Sequence, residues 1–119
     1  MVHVMLPDST KIRNNANRAK FADTGILDLF ESMINSGSRK NDLIAKIAGG
    51  AQMFAYGSVN NDLMRVGEKN VEAAKEILTD LGIPIIAEDT GLNYGRTIIF
   101  DSNNGNLIIR SVGKTEKVI

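Results

Sequence analysis

The stretch that most restricts what this chain can fold into is Leu43–Phe54, LIAKIAGGAQMF. Its first part, Leu43-Ile44-Ala45-Lys46-Ile47-Ala48, is a nearly unbroken apolar run, too short for a free-standing helix and rich in isoleucine. It reads as a buried strand that breaks at Gly49-Gly50. Two adjacent glycines widen the permitted φ range and put no side chain in the way, so other backbone can approach closely there. A tight backbone crossing is favoured over a phosphate cradle, because no Lys-Ser/Thr follows and no helix starts at the required spacing. The segments on either side each carry an apolar face that needs a sheet to cover, so this stretch is taken as a central strand.

Those segments are helical by spacing. From Arg18, the positions Ala22, Ile26, Leu29, Phe30, Met33 and Ile34 fall on one helix face, and Gly37 stands where a C-terminal cap belongs. From Gly67, the positions Val71, Ala74, Ile77, Leu78 and Leu81 repeat the pattern, with Glu68 near the positive end and Gly82 at the exit. Ile83-Pro84-Ile85-Ile86-Ala87 follows at once as a short strand. Residues 43–88 thus make a strand, helix, strand unit, which favours a parallel pair. Arg96–Asp101 and Leu107–Val112 are β-rich and joined by Ser102-Asn103-Asn104-Gly105-Asn106, whose Asn-Gly pair predicts a terminal hairpin. Asp8–Asn17 and Ser38–Asp42 are polar connections, and Gln52–Met64 is irregular, with Phe54 and Tyr56 as exposed aromatics. The fold class is α/β, an α/β/β layered arrangement with mixed strands and two helices covering one face.

At the start, Met1–Pro7 reads as a strand, apolar apart from His3, with Pro7 where a ladder donor would be lost. A core-quality strand is an unusual beginning for a folded domain. The expectation is therefore that residues 1–119 are a single domain lacking its first strands, with an unpaired edge and uncovered apolar side chains.

Composition narrows the chemistry. Fourteen basic and fourteen acidic side chains cancel, which argues against a nonspecific electrostatic hold on nucleic acid or an anionic membrane. No apolar stretch is long enough to span a bilayer, and Met1–Asp8 lacks the pattern of a signal peptide, so the expected location is cytoplasmic. With no cysteine there is no disulfide, thiolate metal site or sulfur nucleophile within the chain, and one histidine makes an internal zinc site improbable. Asp89-Thr90-Gly91 after an apolar strand invites an aspartic-protease reading, but two helices in the core argue against that all-β fold; the expectation is that Asp89 fixes a loop through backbone hydrogen bonds. His3 is the one side chain whose ordinary pKa, about 6.5, suits proton transfer near neutrality, yet a lone histidine is more often packed or on the surface than catalytic.

Five blocks taken together change that balance. His3-Val4-Met5-Leu6-Pro7-Asp8, Lys20-Phe21-Ala22-Asp23-Thr24, Ala45-Lys46-Ile47-Ala48-Gly49-Gly50-Ala51-Gln52-Met53-Phe54, Val66-Gly67-Glu68-Lys69-Asn70, and Glu88-Asp89-Thr90-Gly91 with Gly95-Arg96 resemble, in order, the CheD family of chemoreceptor glutamine deamidases. The resemblance spans nearly the whole chain. It implies hydrolysis of glutamine side chains on chemotaxis receptors to glutamate, in the cytoplasm, with no metal or organic cofactor. It further implies a cysteine in an upstream Gly-Ser-Cys turn as nucleophile and a histidine, here His3, as its base.

Two departures accompany the resemblance. The cysteine segment and a supporting threonine are absent, and Ser9 and Thr10, past Pro7, are poor substitutes for a thiol. Leu92 stands where the family usually has a second glycine after Asp-Thr-Gly, so that loop is expected to run differently. The chain is accordingly expected not to turn over alone. The other role that the resemblance implies, pairing with a CheC-type phosphatase, needs no nucleophile, and Phe54 is the candidate anchor for it. A third expectation is that the chain is a fragment whose function resides in a longer product.

Overall fold

The structure, a computed structural model, describes residues 1–11, 13, 16–52 and 65–119. Among the described residues two α-helices, α1 (Ala22–Asn35) and α2 (Val66–Leu81), accompany five strands. β1 (Ala45–Gly49) and β2 (Ile85–Thr90) form a parallel pair, and β3 (Thr97–Asp101), β4 (Asn106–Arg110) and β5 (Lys117–Val118) form an antiparallel sheet in that order. The architecture is α/β with a C-terminal hairpin, as the patterning predicts.

The helices end as their glycines require. The Gly37 N–H bonds the Ile34 carbonyl at 3.0 Å, the Ser38 N–H bonds Met33 at 3.0 Å, and Gly37 takes a φ of 107°. After α2, Gly82 takes a left-handed φ of 71°, and the Ile83 N–H returns to the Leu78 carbonyl at 2.9 Å. Both are glycine-mediated closures that satisfy orphan carbonyls. The second also turns Ile83 into the core, where it meets Ala22, Ile26, Leu43, Ala74 and Leu78. The core therefore lies where the two helices meet the entrances to the two parallel strands.

Several expected boundaries move. α1 begins at Ala22 rather than Arg18, because Arg18–Lys20 forms a separate 3-10 turn. Leu43 and Ile44 lie outside β1, and Ile83 and Pro84 outside β2: proline has no N–H for a ladder, and pairing opens where the Ala45 N–H meets the Pro84 carbonyl at 2.9 Å. β1 is half-buried throughout and, among the described residues, pairs only with β2, so the central, buried strand expected there is one member of a two-stranded ladder. Met1–Pro7 is not a strand, and the chain bends at Met5 and Pro7. Leu6 makes a single parallel bridge with Phe21, and the ladder cannot lengthen because α1 starts at the next residue. At the far end, β4 stops at Arg110 rather than Val112, and the two-residue β5 was too short to show any alternation in sequence.

Two side chains tie the sheets to each other. The Lys46 ammonium, from β1, donates to the carbonyl of Gly105 at 2.7 Å and to the main-chain oxygen of Ile119 at 2.8 Å. Lys117, from β5, reaches the Asp89 carboxylate on β2 at 2.9 Å.

Candidate functional site

His3 sits on the extended N-terminal segment, where exposure alternates. Met1, His3 and Met5 are exposed, while Val2 and Val4 pack against the core. That two-residue period is the geometry of an extended chain laid on an apolar surface, and it turns the imidazole outward. The segment is held by backbone. The N–H groups of Met5 and Leu6 both bond the Lys20 carbonyl, at 2.7 and 3.0 Å, and the Ala22 N–H returns to Leu6 at 2.8 Å. Phe21, at the bridge, is completely buried.

The turn after Pro7 locks onto α1. The Ser9 N–H lies 3.1 and 3.2 Å from the two oxygens of Asp23, and its hydroxyl donates to Oδ2 at 2.8 Å. Asp23 is in the first turn of α1, where the helix dipole favours a carboxylate. Ser9 is buried, so this pair braces the fold and offers no hydroxyl to an incoming substrate. Next to it, Asp8 accepts from the Thr10 hydroxyl and N–H at 2.7 and 2.8 Å, and those bonds, the hydroxyl's first, hold its carboxyl below the ordinary range. Thr10 is thereby engaged as well.

Beside the segment stands the first turn of α2. The Asn70 side-chain N–H donates to the Met5 carbonyl at 3.1 Å. One turn earlier, a Cβ added at Gly67 would lie 2.5 Å from the Gly50 carbonyl oxygen and 2.6 Å from that of Ala51. One added at Gly50, whose φ is 66°, would meet Val71 at 2.3 Å. The glycine pair is thus a close backbone crossing at Gly50, as the sequence reading favoured over a phosphate cradle. Gly49, with φ at 107°, has open space instead. Blocks distant in sequence, 20–24 and 66–70, meet at the short segment of 3–8, and 45–52 packs in turn against 66–70.

The fifth block makes a separate cluster. Asp89 is buried and accepts from Arg96 Nε at 2.6 Å and Lys117 at 2.9 Å. Hydrogen bonds from Lys117 and then Arg96 keep its carboxyl below the usual range against the opposing effect of burial. Its partners are side-chain cations, a correction to the backbone donors expected for this aspartate. Arg96, only 2% exposed, also donates to the carbonyls of Gly91 and Tyr94 and lies 4.5 Å from the Tyr94 ring centre. A carboxylate neutralised by two cations is poorly suited to the shared-proton chemistry of an aspartic protease. The cluster fixes the Gly91–Arg96 loop instead. In that loop Leu92 adopts a φ of 62°, the left-handed conformation that glycine favours, and its carbonyl accepts from the Gln52 N–H at 2.8 Å.

Sequence reasoning named His3 without seeing what holds it. Asn70 and the Ser9–Asp23 pair are supports that the sequence does not announce, since no local pattern signals a contact across 65 residues. Phe54 and Tyr56 lie outside the described residues. Among the described residues, no group of three histidine, cysteine, aspartate or glutamate side chains could hold a metal, and no helix is long and apolar enough to cross a membrane.

Fold and site together define an α/β protein that presents an outward imidazole on a braced extended segment. A family model described as CheD chemotactic sensory transduction matches residues 5–111. A probable chemoreceptor glutamine deamidase CheD of Lachnoclostridium phytofermentans is 64% identical over 119 residues, all of this chain and 73% of that protein. One of Caldanaerobacter subterraneus is 55% identical over the same shares, and the chemoreceptor glutamine deamidase CheD of Bacillus subtilis is 50% identical over 120 residues, all of this chain and 72% of that protein. The chain belongs to the CheD family.

Proposed function

We propose that this chain is part of a chemoreceptor glutamine deamidase that converts receptor glutamine side chains to glutamate in the cytoplasm, with His3 as the proton carrier. The names of its relatives support the reaction class. The observation that carries the role of His3 is its exposure on a segment tied down on both sides, where a side chain of another protein can reach it.

The chemistry follows from the amide. A glutamine carboxamide is a poor electrophile with a poor leaving group, so a strong nucleophile and a proton donor are both needed. His3 takes the thiol proton as a cysteine sulfur attacks the amide carbon. It then gives that proton to the departing nitrogen, so that ammonia leaves and a thioester remains. Finally it draws a proton from water as the oxygen adds, and the thioester resolves to glutamate and free thiol. The chain has no cysteine, so the sulfur must come from outside these 119 residues.

The experiment is ammonia release from receptor glutamines. The 119-residue chain alone should release none, the chain joined to an upstream Gly-Ser-Cys segment should be active, and His3→Ala in that joined protein should lower the rate about 100-fold or more. Ammonia release by the chain alone would point to a different nucleophile. A second role, pairing with a CheC-type phosphatase, requires no sulfur. Capture of the phosphatase by this chain, weakened by Phe54→Ala, is the expected outcome, and equal capture by the variant removes Phe54 from that role.

A further inference from the structure

We infer that Asn70 is a positioning residue that sets where the His3 imidazole stands, an inference resting on the reading of His3 as the base. Nδ2 of Asn70 donates to the carbonyl of Met5, two residues beyond His3, and His3 and Met5 share the exposed side of the segment. The orientation of the amide is dictated by chemistry. A carbonyl only accepts, so the amino end of Asn70 must face Met5. This leaves Oδ1 buried and, among the described residues, with no donor. For the fold alone, asparagine is a poor choice here, since an apolar side chain would bury no unmet acceptor. What asparagine adds is a bond from α2 to the segment bearing the imidazole.

The helix end of this tie is itself closely packed. Gly67 and Asn70 are three residues apart and so lie on one face of α2. Gly67 lies so close to the Gly50 and Ala51 carbonyls that no Cβ would fit, so the first turn of α2 packs backbone to backbone against the glycine end of β1. The backbone bonds to Lys20 hold Met5 and Leu6 from the other flank. The imidazole is thereby referenced to the glycine end of β1 through Asn70 and to the start of α1 through Lys20.

The test uses the full 119-residue chain and NMR. Asn70→Ala and the isosteric Asn70→Asp, which lacks the donor, should both speed amide exchange at Met5 and Leu6 by about tenfold or more, the equivalent of one hydrogen bond. Both should lower the order of the His3 ring carbon–hydrogen vector while Ile47 and Leu78 keep their protection. In Asn70→Ala the thermal midpoint should hold or rise, because the unmet acceptor is gone. Unchanged exchange at Met5 and Leu6, or an unchanged His3 ring, would overturn the inference. So would a fall in midpoint accompanied by lost protection at Ile47 and Leu78, which makes Asn70 a fold residue only. If docking is lost as expected but the cysteine-bearing protein is indifferent to His3→Ala, the base assignment fails and the tie stands.

Discussion

Leu92 carries a conformation suited to a different residue. At a φ of 62° a leucine side chain crowds its own backbone, which costs about 1–2 kcal/mol. It is 65% exposed, so little packing offsets that cost. The loop tolerates the strain because Arg96 holds Gly91 and Tyr94 from within and the Leu92 carbonyl is bonded to Gln52. Leu92→Gly should therefore raise unfolding free energy in urea by about 1 kcal/mol, after allowing for the extra backbone freedom of glycine in the unfolded chain. A loss of stability would show that the leucine is packed to advantage. Asp89 makes the converse case. Its folded pKa is depressed, so its contribution is complete above an unfolded pKa near 3.9 and is lost as pH falls through the folded value. Unfolding followed between about pH 2 and 5 should show a steeper acid loss in the wild type than in Asp89→Asn. At neutral pH, Asp89→Ala should cost about 3 kcal/mol, because it leaves the Arg96 guanidinium buried without its anion.

Among the elements, α2 shows why a helix can require a residue that weakens helices. Alanine is about 1 kcal/mol better than glycine in an open helix. At position 67 its Cβ would collide with two carbonyl oxygens, so Gly67→Ala should instead destabilise by about 2 kcal/mol in urea titration. A gain in stability would mean that the crossing relaxes easily. Lys46 spans the two sheets, and Lys46→Met should speed exchange of the Leu107 and Ile119 amides, which bond each other across the ladder, without touching α2. This scale is also where the sequence was most readable. Both helices, their glycine closures and the parallel unit were legible because each rests on local spacing or on one residue's backbone freedom. The strand expected over Met1–Pro7 does not form, because an apolar pattern says nothing about whether a partner strand lies alongside. β5 escaped notice because two residues carry no period, and Asp89 drew cations from 7 and 28 residues away that no local rule links to it. The resemblance named the imidazole, but the tie through Asn70 could be found only in three dimensions.

At the scale of the whole molecule, large apolar side chains stay uncovered, with Ile44, Ile86, Phe100 and Val118 each about half exposed or more. Sedimentation should show association that grows with concentration as these side chains find cover, whereas a single monomeric species at all concentrations would show that the open surface is tolerated in water. The central claim is that His3 serves a sulfur the chain does not contain. The direct measurement is ammonia released from receptor glutamines by the chain joined to a Gly-Ser-Cys segment, with and without His3→Ala. The account predicts release that the substitution lowers about 100-fold or more. Release that is indifferent to the substitution would contradict it.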